Sequence, residues 1–139
     1  MAIAIFRTTR SRHLSARADC LGILMVSGGS SRVHAALMLA TTAASLDRAV
    51  VLFATDAGVA ALLAEGAAGQ EVVEEARRRS LGVATFTELR AAAAELGVRM
   101  IACETALRLA GIAAWRLAPG VEVAGMATLL AAAGEIVAF

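Results

Sequence analysis

The sequence is poor in cysteine, and its two cysteines, Cys20 and Cys103, are too few for a disulfide framework. It also lacks the roughly 18 to 20 uninterrupted apolar residues that a membrane-spanning helix requires. The short apolar run at residues 2–6 is followed by arginines, whereas a secretory signal places its positive charges before a longer apolar run. These absences predict a cytoplasmic protein without a membrane partner.

Strong charge and recognisable cofactor motifs are missing as well. The formal net charge is +1 and no basic cluster is present, so nucleic acids are not expected as partners. The glycine turn at residues 27–32 has neither P-loop nor dinucleotide-binding spacing. No cysteines and histidines have metal-ligand spacing, and no nucleophile, base and acid set can be assembled. We therefore expect neither a metal nor a cofactor, and hydrolase chemistry has little support.

Apolar residues, in contrast, are abundant. The chain is 59% hydrophobic and 18% charged, which is ample for one core in 139 residues. An Arg-rich lead is predicted over residues 1–20 and a single domain over residues 21–139. The apolar content exceeds what one small core needs, which suits a homo-oligomer.

Short apolar runs alternate with helical segments along this domain. Strands are predicted at residues 21–26, 49–54, 98–102, 121–123 and 135–139. Helices are predicted at residues 32–46, 59–64, 85–96, 103–109 and 124–133. Ser30 or Ser31 is expected to cap the first helix, and a capping box from Thr85 to Glu88 starts the third. The alternation predicts a three-layer αβα domain with a mostly parallel sheet of about five strands, whose order stays open.

The segment at residues 65–81 differs from the rest of the domain because it is strongly charged. Glu74 with Arg78, and Glu75 with Arg79, have the i,i+4 spacing of helical ion pairs. The pattern predicts a solvated helix or a mobile excursion.

The ends of parallel strands indicate where a site would form. In such a sheet the carboxyl ends of all strands lie on one edge, so residues 27–31, 55–58 and 103–105 are expected to converge. Cys103 would then begin a helix, where the free N–H groups of the first turn favour a thiolate, although the neighbouring Glu104 opposes it. A packing role as a small core residue fits Cys103 equally well.

The glycine turn allows two interpretations. Ser27, Gly28, Gly29 and Ser30, with Arg32 beside them, could hold a small anion at the start of a helix. A turn that simply needs glycine explains the same residues. Asp56 is a possible charge at this edge, or an ordinary turn residue.

Several stretches together resemble the DsrE/DsrF/DsrH-like family. They are the glycine turn with its helix (Gly28–Ala40), the strand Val51–Thr55, the segment Gly97–Ile112 and the tail Val121–Leu130. The cysteine that opens a short helix ending in glycine is the most telling element. The resemblance implies a small oligomeric α/β protein that relays sulfur as a persulfide on Cys103, with rhodanese-like or small carrier proteins as donors. Arg32, Arg99 and Arg108 are candidates for electrostatic support.

Two other functions remain open from the sequence. One is a non-catalytic oligomeric module that holds a small anion or metabolite at the sheet edge. The other is thiol-based redox sensing, which needs Cys20 as a resolving thiol with its Cα within about 7 Å of that of Cys103.

Overall fold

The computed structural model describes residues 17–65 and 70–139. Its centre is a five-stranded sheet with the order β4-β3-β2-β1-β5, in which every neighbouring pair is parallel. The strands are β1 (Leu21–Met25), β2 (Val50–Ala54), β3 (Arg99–Cys103), β4 (Glu122–Ala124) and β5 (Glu135–Ala138). The predicted three-layer α/β architecture is confirmed, and the sheet is wholly parallel.

The inner strands form because their sequences are apolar at successive positions. Every residue of β2 is buried, as expected for a strand that is covered on both faces. Its register places Leu52 beside Ile23 of β1, and Phe53 beside Ile101 of β3. These side chains belong to the single hydrophobic core of the described residues.

Within residues 17–65 and 70–139, five α-helices and two short 3₁₀ helices connect the strands. The α-helices are α1 (Ser30–Ser45), α2 (Gln70–Ser80), α3 (Phe86–Glu95), α4 (Glu104–Ala110) and α5 (Met126–Ala132), and the 3₁₀ helices are Asp56–Leu62 and Ala114–Arg116. The chain adds strands in one direction from β1 to β4 and then crosses back to place β5 on the other side of β1. Because each crossover between parallel strands is right-handed, this reversal of direction places α5 on the face of the sheet opposite α1 and α3. Gly22 of β1 faces Leu129 and Ala133 on the α5 side. None of the helices in residues 17–65 and 70–139 is long and apolar enough to cross a membrane.

Two predictions at the sheet edge were wrong in detail. Neither Ser30 nor Ser31 caps α1, because both already lie inside the helix and Gly29 occupies the N-cap position. The helix predicted at 59–64 is a 3₁₀ helix that starts earlier, at Asp56, whose φ of 48° turns the chain sharply after β2. Gly58 then passes so close to the Met25 carbonyl oxygen that a Cβ would lie 2.2 Å from it.

The capping box of α3 is confirmed, and it is fully buried at Thr85. The Thr85 hydroxyl accepts a hydrogen bond from the Glu88 amide, and the Glu88 carboxylate accepts one from the Thr85 amide at 2.7 Å. Gly97 has the left-handed conformation expected of the residue that stops this helix, with φ of 83°.

The charged segment forms a helix over Gln70–Ser80, but one of its acidic side chains is not solvated as predicted. Glu75 pairs with Arg78 at 2.9 Å, one residue closer in sequence than the expected Arg79, and the two side chains are only 12% and 13% exposed. Glu75 also accepts a hydrogen bond from the Phe86 amide, and Arg78 donates to Ser30 Oγ at 3.0 Å. The pair therefore ties α2 to the starts of α1 and α3.

The predicted N-terminal lead lies mostly outside the described residues, as do residues 66–69 of the charged segment. Within the described part, residues 17–19 form one helical turn. Arg17 Nε donates to the Ala133 carbonyl oxygen at 3.4 Å, and the turn packs so closely on Gly134 that a Cβ there would overlap Ala18. This turn thus holds the entry to β5.

Candidate functional site

The three loops predicted to converge do meet at the carboxyl edge of the sheet. The Thr55 amide donates to the Met25 carbonyl oxygen at 2.9 Å, and the Gly58 amide donates to that of Val26 at 3.0 Å. These bonds join the ends of β1 and β2. Residues 55–57 and 105–106 line one cavity, which brings in the residues that follow β3.

Cys103 is the last residue of β3 and the N-cap residue of α4. It is there because the buried strand ends at the sheet edge, while Gly111, with φ of 67°, closes the short helix that follows. Only 6% of Cys103 is exposed. Cys103 is therefore buried and does not lie on an open surface.

The surroundings of the Cys103 sulfur favour its thiolate. Burial raises the pKa of this thiol, but four hydrogen bonds outweigh burial and lower the pKa below its usual value. The donors are the hydroxyls of Thr55 and Thr105 and the backbone amides of Ala106 and Thr105. The neighbouring Glu104, which was expected to oppose the thiolate, is paired with Arg108.

A cavity of about 320 Å³ adjoins these donors. Its lining comes from the end of β2 and from one side of α4: Thr55, Asp56, Ala57, Thr105, Ala106, Leu109 and Ala110. The three residues that lower the pKa of Cys103 all belong to this lining. The cavity therefore lies beside Cys103, although Cys103 itself is not part of its lining.

The glycine turn has a packing role in the structure. A Cβ on Gly28 would lie 2.8 Å from the Ala57 carbonyl oxygen, so the close approach of the two loops requires glycine there. The Gly29 amide already donates to Ser27 Oγ at 3.1 Å, and Ser30 Oγ accepts from Arg78. These polar groups are occupied by the protein itself, which favours the turn over the anion-binding interpretation.

The charged candidates lie in different places. Asp56 lines the cavity, and Glu104 lies at the start of α4, where it pairs with Arg108 at 2.7 Å. Arg32 is exposed in the first turn of α1 and does not line the cavity.

Arg99 begins β3, about 13 Å from Cys103 at the usual rise per strand residue. It forms two hydrogen bonds to Glu122, of 2.6 and 2.9 Å. Arg99 therefore gives Cys103 no direct support.

Thr55 and Thr105 were not singled out from the sequence, although both lower the pKa of Cys103. A usable signal was present. Thr55 follows the second predicted strand directly, and Thr105 lies two residues after Cys103, so both fall within the loops expected to converge. A hydroxyl at each of these positions could have been named as a thiolate ligand.

Cys20 cannot serve as a resolving thiol for Cys103. It precedes β1 at the amino edge of the sheet, two strands away from β3, so strand geometry separates the two residues by roughly 20 Å. A disulfide needs Cα atoms within about 7 Å. Burial also raises the pKa of Cys20. Redox sensing through a disulfide between Cys20 and Cys103 is thus excluded.

Among residues 17–65 and 70–139, no cluster of three potential metal ligands occurs.

The sequence and the fold assign the chain to a known class of α/β proteins. The sequence model of the DsrE/DsrF-like family matches residues 21–138, and the chain belongs to this family. The predicted resemblance is confirmed over nearly the whole domain. No curated protein matches the sequence.

Eight chains of known structure match as well, and one of them is the ychN protein from E. coli. The two structures superpose with a TM-score of 0.66 at 18% sequence identity. The match covers 87% of this chain and 98% of the ychN chain. It supports the three-layer fold independently of the sequence.

Proposed function

We propose that this protein is a sulfur-relay protein that carries sulfane sulfur as a persulfide on Cys103. The observation that carries the proposal is the junction of β3 and α4, where the hydrogen-bonding groups that lower the pKa of the Cys103 thiol also line a cavity. The thiolate is the attacking species in sulfur transfer, so these donors supply what the reaction needs. Membership of the DsrE/DsrF-like family agrees with this chemistry.

The reaction needs no oxidant. The Cys103 thiolate attacks the outer sulfur of a donor persulfide, R–S–SH, and an S–S bond forms between the two. The S–S bond of the donor breaks, and the donor leaves as the thiolate R–S⁻. The transferred sulfur keeps its proton, and attack by an acceptor thiolate later reverses the step.

The partners follow from the same chemistry. A donor must bring its sulfur into a cavity formed by α4 and the end of β2, which suits a small carrier protein or a rhodanese-like protein with an exposed persulfide. A homo-oligomer is also part of the proposal. Leu109 and Trp115 support it, because 85% and 82% of their surfaces are exposed in the single chain. Light scattering after gel filtration tests the oligomeric state.

The alternative function, a non-catalytic module that holds a small anion, has less support. In the glycine turn, the Gly29 amide and Ser30 Oγ already take part in hydrogen bonds within the protein. The neighbouring cavity is lined by Asp56, which has a carboxylate side chain. A carboxylate in the lining disfavours an anionic ligand.

Intact-mass spectrometry after incubation with a persulfide donor tests the proposal. The wild type should gain the mass of one sulfur atom, and Cys103→Ala should gain none. Cys20→Ala is the matched control, since it removes the other cysteine and should load like the wild type. Loading that persists in Cys103→Ala, or a folded wild type that never gains sulfur, would contradict the proposal.

A further inference from the structure

We propose that the cavity beside Cys103 selects sulfur donors by charge, with Asp56 as the residue that determines the selectivity. The site then takes a donor with no negative charge next to its sulfane sulfur and turns away small anionic donors. This inference rests on the proposed function of Cys103 and adds the class of substrate.

The charge of the cavity lining carries the argument. Asp56 is its one charged residue, and the other polar lining residues are the neutral Thr55 and Thr105. No arginine among residues 17–65 and 70–139 lines the cavity. An anion that enters therefore meets a carboxylate without a compensating cation in the wall.

The surroundings of the cavity do not reverse this charge. Arg108, the nearest basic residue along α4, is paired with Glu104 at 2.7 Å, so the two charges largely cancel. The Gly29 amide, a donor that could have attracted an anion, is bonded to Ser27 Oγ. The attacking Cys103 thiolate is itself negative and adds to the repulsion that an anionic donor meets.

The effect of Asp56 is electrostatic and moderate in size. The repulsion between two like charges about 6 Å apart changes a rate about threefold in water, and about tenfold at roughly half the dielectric constant of water, as in an open cavity. Salt screens such a repulsion, because the Debye length is about 10 Å at 0.1 M. The selectivity should therefore weaken as salt rises.

Asp56→Asn removes the charge and keeps the backbone. Asp56 has a φ of 48°, in the left-handed region that asparagine tolerates best among residues other than glycine. Asp47→Asn is the matched control, since Asp47 also has a positive φ, of 63°, and is exposed. Asp47 precedes β2 and Asp56 follows β2, so the length of the strand, about 13 Å or more, separates Asp47 from the cavity.

The test measures how fast Cys103 reacts with two methanethiosulfonate reagents of similar size, one with a trimethylammonium group and one with a sulfonate. The thiolate attacks the thiol-side sulfur of either reagent, a mixed disulfide forms and methanesulfinate leaves. Each rate is divided by that of a free small thiol, and peptide mapping separates Cys103 from Cys20. Persulfides of cysteamine and of mercaptopropionate repeat the comparison with real sulfur donors.

We expect the normalised ratio of cationic to anionic rates to be well above one in the wild type. It should fall about threefold to tenfold in Asp56→Asn and at high salt, and stay unchanged in Asp47→Asn. An unchanged ratio in Asp56→Asn, with normal persulfide loading, would overturn the selectivity and leave the relay proposal standing. Failure of both reagents to label Cys103 in the folded protein would overturn both proposals.

Discussion

Replacing Thr55 with valine should slow the reaction of Cys103 at neutral pH. Valine keeps the shape of threonine but removes the hydroxyl that hydrogen-bonds to the sulfur. That hydroxyl is one of four groups that lower the pKa of Cys103 against the effect of burial, so its loss raises this pKa and leaves less thiolate. Thr55 acts through Cys103 and is a positioning residue.

The size of the effect follows from the type of bond. A hydrogen bond to a charged group contributes about 1.5 to 3 kcal/mol net, and a bond to the larger sulfur should lie at or below the lower end. A loss of about 1 to 1.4 kcal/mol corresponds to a fivefold to tenfold decrease in the thiolate population. The alkylation rate should decrease by the same factor below the pKa of the thiol.

The assay is the rate of alkylation by uncharged iodoacetamide, followed by mass spectrometry across a range of pH. The alkylation rates of Thr55→Val and the wild type should differ at about pH 7. They should converge at about pH 10, where Cys103 is ionised in both proteins. Thr41→Val is the control, because its hydroxyl bonds to the Leu37 carbonyl oxygen at 2.7 Å within α1, and the variant should follow the wild type. Equal rates at neutral pH, or a rate reduced equally at every pH, would refute the reasoning.

Three further outcomes are expected. Gly58→Ala should lower the free energy of unfolding by about 2 to 3 kcal/mol and the melting temperature by roughly 8 to 10 °C, because the new Cβ meets the Met25 carbonyl oxygen. The control Gly125→Ala, whose Cβ would lie in open space, should lower the free energy of unfolding by less than about 1 kcal/mol, and equal melting temperatures of the two variants would contradict the prediction. Thr85→Ala should cost about 1 kcal/mol through loss of the buried N-cap of α3, measured by denaturant unfolding, and the exposed Thr87→Ala should change stability by less than half as much. As pH rises from 6, iodoacetamide should label Cys103 before Cys20, since the pKa of Cys103 is lowered and that of Cys20 is raised; the reverse order in peptide mapping would show that the pKa directions are wrong.

The fold could be predicted from sequence because its central strands are continuously apolar. Runs such as Val50–Ala54 match strands that are buried on both faces, and their alternation with helices requires a parallel sheet. Strand order could not be predicted, because the crossover rule gives the hand of each connection and not the side on which β5 is added. That position depends on long-range packing, such as the contact of Gly22 with α5.

The site was predictable in outline and not in its contacts. The convergence of the loops and the position of Cys103 follow from topology, but the partners of each side chain depend on distances that the sequence does not contain. Arg99 shows this, because it is four residues from Cys103 and yet lies at the other end of β3 with Glu122. Glu75 shows it again, since it accepts a hydrogen bond from the Phe86 amide, eleven residues later, and pairs with Arg78 and not with the expected Arg79.

The position of β5 beside β1 has a consequence for the nascent chain. Among the strands of residues 17–65 and 70–139, β1 is synthesised first, yet one of its edges stays unpaired until β5 has been made. The contact of Arg17 with Ala133 likewise joins residues 116 positions apart. An unpaired edge of this kind can pair with another chain and lead to aggregation. Closing it is the largest loop closure among the strand pairs, so we expect this step to limit the folding rate and the edge to be the part of the nascent chain that most needs a chaperone.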